Sequence, residues 1–249
     1  MVSGKYSALA GAISREQSLA NISNNLANVT TTGYKKMIMS FESMLQGENQ
    51  IQDARGINYS RVSKSITDFS SGPMKETGNE MDLAIHGSGF FKVLGPEGPL
   101  YTRSGAFTVD QEGTLKTSDG YSVLDDGNIP VQIPPGGNAR ISINALGVIS
   151  TLDTQGNREE VGRLGIVSFE DPNTLTRRDN TTFIAGQGSV EQLVDEPQVV
   201  SGHLELGNVN MIEEMANMIQ GQRLYETYHK VLKGYSAVGE KQEDLGTLS

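Results

Sequence analysis

A chain of 249 residues can bury a substantial core, as one large domain or two small ones. The absence of cysteine excludes disulfides, thiolate metal sites and cysteine nucleophiles, and a formal charge of −10 argues against non-specific binding to nucleic acid or an anionic membrane. No apolar run approaches the roughly 20 residues of a membrane-spanning helix, and Ser14, Arg15, Glu16 and Gln17 interrupt the apolar stretch that a signal peptide would need.

The first thirty residues predict one helix. Ala8, Ala12, Leu19, Ile22, Leu26 and Val29 form a heptad seam that Arg15 breaks once, and Tyr6, Leu9, Ile13 and Ala20 form a flanking row. Asn21, Asn24, Asn25 and Asn28 crowd its last turns, although helix interiors disfavour Asn. Thr30, Thr31 and Thr32 then lead into Gly33, which can take positive φ and stop the helix. The span 34–75 has no sustained period. It predicts an extended connector with an apolar patch (Met37, Met39, Phe41, Met44, Leu45) and one weak strand near 57–69.

Between 76 and 207 the pattern changes to short strands. DLAIHGSGFFKVLG, GAFTVD, VQIP, RISINA and LGIVSF are punctuated by Gly, Pro, Asp and Asn, and several alternate with period two. Asp119-Gly120 and Asp126-Gly127 are tight-turn signals. This spacing suits an antiparallel sandwich or small barrel rather than βαβ units.

The span 208–249 is helical again. Asn210 with Glu213 makes a capping-box variant at its start. Met211, Met218, Tyr225, Leu232 and Gly239 recur every seven residues, with Met215, Gln222, His229 and Ser236 interleaved four positions after each of the first four. Ile212, Ile219, Val231 and Val238 widen the apolar face. The fold class is therefore mixed: long N- and C-terminal helices forming a coiled-coil-like pair (1–33 and 208–249), a connector (34–75), and an all-β central domain of short antiparallel strands (76–207).

Two such seams can close on each other as an intramolecular hairpin, or they can pack in an array. Small seam residues, an outer surface rich in Asn and Ser, and apolar residues spread over more than one face of the C-terminal helix favour the array.

NISNNLANVTTTGYKK resembles the N-terminal signature of the flagellar rod, hook and hook–filament-junction family. GNEMDLAIHGSGFFKV with YTRSGAFTVDQEGTLKTSDGYSVL is similar to the central motif of its rod and hook members, and LELGNVNMIEEMANMIQGQRLYE to the C-terminal one. Departures are small: Gly207 stands where Ser is usual, and NALG where an Asp-Gly turn is common. A length near 250 without a large central insertion points to the rod members.

The resemblance implies a structural subunit, not an enzyme, whose paired terminal helices pack with those of neighbours into the inner tube of a helical assembly. The implied assembly residues are Ala8, Ala12, Leu19, Ile22, Asn24, Asn25, Leu26, Asn28, Val29 and Gly33 at one end. At the other they are Met211, Glu213, Met215, Met218, Ile219, Gln222, Arg223, Tyr225 and Leu232. Gly33 would turn the chain out of the tube. The implied partners are other copies of the chain, other rod proteins and the flagellar type III export apparatus, with no nucleic acid, cofactor or small-molecule substrate. The implied location is the basal-body rod spanning the periplasm, reached without a cleavable leader, and the helices are expected to order on incorporation.

Other chemistry is poorly represented. His86, His203 and His229 lack clustered ligands at metal-site spacing. HGSGF is not G-x-S-x-G and runs from strand to strand. The pairs Glu159/Glu160 and Glu213/Glu214 read as solvated, the second also suiting a helix N-terminus. A β-domain adhesin with a coiled-coil stalk would want exposed aromatics, yet there is no Trp. A β-sandwich hydrolase would want a convergent acid–base site. Neither rival explains the two terminal seams.

Overall fold

The computed structural model describes residues 2–46, 57–134, 140–152 and 158–246. Parts of the predicted spans, 47–56 in the connector, 135–139 and 153–157 in the β-domain and 247–249 at the C-terminus, lie outside the described residues, as does Met1.

The chain divides into two compact units. The first joins Met1–Ala27, Met37–Asp68 and Asn210–Ser249; the second joins Asn28–Lys36 and Phe69–Val209.

In the first unit, α1 (Val2–Ala27) packs against α2 (Met211–Gly246) and against a long hairpin. Asn210 starts α2 as an N-cap: its Oδ1 accepts from the backbone N–H of Ile212 at 3.1 Å and of Glu213 at 3.4 Å. Glu213 and Glu214 in the first turn complement the positive end of the helix. The hairpin pairs β1 (Met37–Gln46) antiparallel with β2 (Ile57–Thr67), in register from Met37↔Thr67 to Gln46↔Ile57, with a bulge at Ser40/Phe41. This differs from the predicted connector. Only β2 was legible as a weak strand, because β1 lacks the punctuation and clean alternation that mark strands in sequence.

The second unit is antiparallel throughout its described pairings. Its central strand, Phe90–Gly95, is buried on both faces and pairs with Gly98–Thr102 on one side and with Ser122–Val123 and Ile166–Phe169 on the other. Period two sends Phe91 and Val93 into one apolar cluster, with Leu83, Ile85, Leu100 and Phe107. Phe90 goes to a second cluster with Tyr101, Phe169, Leu175 and Phe183. Edge-to-face rings lock both, Phe91–Phe107 at 5.1 Å and Tyr101–Phe169 at 4.8 Å. On the second face Lys92 Nζ donates to Glu191 Oε1 at 2.5 Å and the Tyr101 hydroxyl donates to Glu191 Oε2 at 2.6 Å. Burial, then this carboxylate, push the Tyr101 phenol well above its usual range.

The predicted strands at 82–95, 107–109, 140–143 and 166–169 are present, whereas VQIP contributes only an isolated bridge, Thr114↔Gln132. The NALG turn closes without an Asp-Gly pair: Asn144 Oδ1 accepts from the N–H of Leu146 and of Val148, each at 2.9 Å, and Gly147 takes φ 76°.

Candidate assembly surface

The two terminal helices meet through glycines. A Cβ on Gly4 would lie 2.6 Å from the Tyr235 hydroxyl, and one on Gly11 only 2.5 Å from the Tyr228 ring. On the other helix, a Cβ on Gly221 would lie 2.8 Å from Leu19. The residue order of these three contacts makes the pair antiparallel, with aromatic and aliphatic knobs set into glycine holes. The α2 seam runs through Glu214, Met218, Gly221, Tyr225, Tyr228, Leu232, Tyr235 and Gly239, all buried or half-buried.

The predicted row at Met218, Tyr225, Leu232 and Gly239 is thus on the intrachain seam. The interleaved row is not: Met215, Gln222, His229 and Ser236 are exposed, and the second row lies one residue earlier. The helix spacing allows either choice, and a glycine that receives a knob carries no apolar signal.

On α1, Ala8 and Ala12 are buried, Leu19, Ile22 and Leu26 are half-buried, and Asn24 is exposed. Val29 is half-buried in the second unit. On α2, Met211, Glu213, Met215, Ile219, Gln222 and Arg223 are exposed. Tyr6, Leu9 and Ile13 on α1 are exposed as well, so each helix carries an apolar row beyond the one its partner covers. The structure thus realises the intramolecular hairpin on one face while leaving other faces open.

Part of the Asn-rich surface is satisfied within the chain. Asn25, 1% exposed, brackets the first residue of β1: its Oδ1 accepts from Met37 N–H at 3.0 Å and its Nδ2 donates to the Met37 carbonyl at 3.0 Å. Asn21 Nδ2 donates to the same carbonyl at 2.8 Å. A carboxamide, with both donor and acceptor, can pair with a strand's backbone in this way. The resemblance implies a place for Asn25 in the assembly surface; within the chain its carboxamide is engaged by its own hairpin.

Asn28 to Lys36 belong to the second unit. Asn28 accepts the N–H and the hydroxyl of Thr31, closing the turn after α1. Gly33 has φ 71°, and a side chain there would meet Ser104 N at 2.2 Å, so only glycine fits.

Close by lies a buried charge cluster that the sequence did not reveal. Lys35, Glu205 and Arg103 are 0, 1 and 4% exposed. Glu205 Oε1 accepts from Lys35 Nζ at 2.6 Å and from Gly72 N–H at 2.9 Å, while Oε2 accepts from Arg103 at 3.4 Å. The Glu205 carbonyl accepts Gly33 N–H at 2.8 Å, and Lys35 also donates to the Ser70 carbonyl at 2.7 Å. Burial lowers the pKa of the Arg103 guanidinium, and Glu205 opposes the shift. Asn208 Oδ1 accepts Lys36 N–H at 2.6 Å and its Nδ2 donates to the Ser70 carbonyl at 3.2 Å. One carboxylate and one carboxamide therefore hold together the three segments at which the chain enters or leaves the second unit, near 33–36, 70–72 and 205–208. Each charged member sits in a quoted motif, in GYKK, YTRSG and LELGN. For Arg103 and Glu205 a lone charge among uncharged neighbours was the available signal, whereas Lys35 is followed by Lys36.

The remaining candidates do not converge. His86 is exposed at a strand end, His203 Nδ1 lies 3.1 Å from the Ser201 carbonyl, and His229 stacks edge-on with Tyr225 at 4.5 Å. Among the described residues no group of three or more His, Asp or Glu is placed to hold a metal ion. An open cleft of about 390 Å³ in the second unit is lined by hydroxyls, amides, Tyr121 and the carboxylates of Asp119 and Asp179. Its carboxylates accept from neighbouring hydroxyls, Asp179 from Tyr121 at 3.3 Å and Asp119 from Thr181 at 3.5 Å.

Comparison with known proteins gives concordant results. A family model described as the flagellar hook protein FlgE/F/G D1 domain matches residues 84–151, and one described as flagellar basal body rod FlgEFG protein C-terminal matches residues 200–238. The chain is 33% identical over 251 residues to the flagellar basal-body rod protein FlgF of Caulobacter vibrioides, covering 98% of each chain. It is 30% identical over 253 residues to the rod protein FlgG of Bacillus subtilis, covering 93% of this chain and 94% of that one. FlgF of Mesorhizobium japonicum is 30% identical over 247 residues, covering 98% of each.

Proposed function

Because the chain belongs to the flagellar basal-body rod protein family, we propose that it is an FlgF-like subunit of the proximal rod, assembled helically through its terminal helices into a shaft that transmits torque. The observation that carries this reading is the distribution of apolar surface in the first unit. Among its described side chains, Ala8 and Ala12 are the apolar residues that are buried, whereas Tyr6, Ile13, Ile212, Met215 and Ile219 are each about half exposed or more. A helix pair of that kind gains burial by packing against further helices. Its partners are other copies and other rod proteins in the periplasmic part of the basal body, after delivery by the type III export apparatus.

A second reading, the distal rod protein FlgG, is favoured by FlgG relatives at 30 and 31% identity, close to the FlgF values. Complementation separates the two: the chain should restore motility to a strain lacking FlgF and not to one lacking FlgG. Assembly itself is tested by negative-stain imaging of the purified chain at high concentration. Filaments or short rods are expected from the full chain and none from a chain lacking residues 211–246. Filaments from the truncated chain would defeat the reading.

A further inference from the structure

The cleft of about 390 Å³ in the second unit has a lining that the assembly reading does not use. Its size falls within the roughly 300–1,000 Å³ of small-ligand sites, but its walls are polar. Every lining residue carries a hydroxyl, a carboxamide or a carboxylate, and none carries a positive charge. That excludes an apolar guest and, with Asp119 and Asp179 on the wall, an anionic one. The lack of Trp leaves no broad stacking platform, so recognition falls on hydrogen bonds.

Donors and acceptors are unequally supplied. The Tyr121 hydroxyl donates to Asp179, the Thr181 hydroxyl to Asp119 and the Thr31 hydroxyl to Asn28. Each of these hydroxyls has used its proton and keeps only lone pairs for a guest. Burial, then the negative charge of Asp179, raise the Tyr121 phenol above its ordinary value, so its proton stays in place at neutral pH. Oδ1 of Asp119 and Oδ1 of Asp179 accept no hydrogen bond among the described residues, which adds further acceptors. Deeper in the cleft the balance reverses. Ser104 is 5% exposed, and its Oγ lies 3.1 Å from Thr32 Oγ1. These two hydroxyls hold two protons and share one bond, so one proton has no acceptor among the described residues.

We propose that this cleft binds a neutral saccharide, whose hydroxyls donate to the acceptor-rich wall and accept the spare proton at Ser104 and Thr32. A hydroxyl both gives and accepts, as water does, so it can displace water from both parts of the cleft without leaving a group unpaired. Ammonium and guanidinium groups have protons for the wall but no lone pair for the proton at Ser104 and Thr32. Carboxylates and phosphates have the reverse fault, and Asp119 and Asp179 repel them. The site lies wholly in the second unit and uses no residue of α1 or α2. It does not depend on the assembly reading.

Titration calorimetry and saturation-transfer NMR of the full chain test this with glucose, N-acetylglucosamine and their dimers cellobiose and chitobiose. Argininamide and inorganic phosphate serve as the cationic and anionic comparisons. At least one sugar should bind in the millimolar range or tighter, and neither charged probe should compete with it. A dimer binding more tightly than its monomer would support a saccharide chain as the ligand, and equal binding a single ring. Asp119→Ala, at an exposed position, and Ser104→Ala should each weaken sugar binding by about tenfold with the circular dichroism of the protein kept. Should Ser104→Ala disturb the fold, Asp119→Ala alone decides. Sugar binding unchanged in the folded variants would place the sugar elsewhere and overturn the proposal. Argininamide binding more tightly than every sugar would overturn it too. So would the absence of any sugar binding at tens of millimolar, which would make the cleft a hydrated groove only.

Discussion

The two units bury their apolar residues in opposite ways. In the second, Phe91, Val93, Leu83 and Phe183 are completely buried within one chain. In the first, the helices meet through glycines and alanines while Tyr6, Ile212, Met215 and Ile219 remain in solvent. The difference shows which unit has a sufficient core of its own. In the structure α1 and α2 hold each other on one side, and their outer apolar rows stay in solvent.

The comparison is tested most severely at the buried charge cluster of the second unit. Glu205→Gln leaves Lys35 and Arg103 buried without their counter-charge, and breaking a buried ion pair in this way costs about 3–5 kcal/mol. Urea unfolding should show a lower midpoint for the second unit at an unchanged slope. A shift of only a few tenths of a kcal/mol would mean that water or a rearranged partner replaces Glu205.

A pair of truncations, one in each unit, separates the cores directly. Phe91→Ala should cost about 3–5 kcal/mol in the free chain, because Phe91 is fully buried. Leu19→Ala, at a half-buried position against Gly221, should cost only about 1 kcal/mol there. Hydrogen exchange sharpens the contrast: amides of Phe90–Gly95 should exchange only with global unfolding, those of α1 and α2 by easier local opening, and the helices should gain protection on assembly. Equal protection in the free chain would remove the distinction between the units.

How far the fold was legible in sequence follows the same division. Phe90 and Phe91 are adjacent and apolar with flanking glycines, and such a run announces a strand buried on both faces. Met218, Tyr225 and Leu232 repeat every seven residues and lie on the α2 seam. The second row was misplaced because its members are Glu214, Gly221, Tyr228 and Tyr235, in which glycine serves as a hole and tyrosine as a knob. Asn25 was legible as unusual, but not its bonding to Met37, since β1 was not visible as a strand. Glu205 was hidden for a simple reason: it joins segments far apart in sequence, and no local period reports such a contact.

The glycine holes give the next test. Gly11→Val places branched carbons where the Tyr228 ring stands and should weaken the helix pair by about 1–3 kcal/mol. Combining it with Tyr228→Ala should return part of that loss, since the neighbouring sites share one cavity. Purely additive losses would mean that the two residues do not touch.

The smallest expected effect concerns a surface turn of the second unit. Asp110 Oδ2 accepts from Lys116 Nζ at 2.6 Å, and its Oδ1 accepts from the N–H of Glu112 at 2.9 Å and of Thr114 at 3.0 Å. The Lys116 hydrogen bond first, and the backbone donors after it, hold the Asp110 carboxyl below its ordinary value, while Asp110 in turn raises Lys116. A depressed carboxylate binds fewer protons folded than unfolded, so its stabilisation is present above the unfolded value and is lost as pH falls through the folded one. Asp110→Asn keeps the Oδ1 acceptor for the turn and removes only the charge. The stability difference between the two proteins should therefore be constant from about pH 6 to pH 9 and close below about pH 4. Because both side chains reach solvent, it should also shrink as salt is added. A difference that survives at low pH would place the stabilisation in the turn's hydrogen bonds and not in the ion pair.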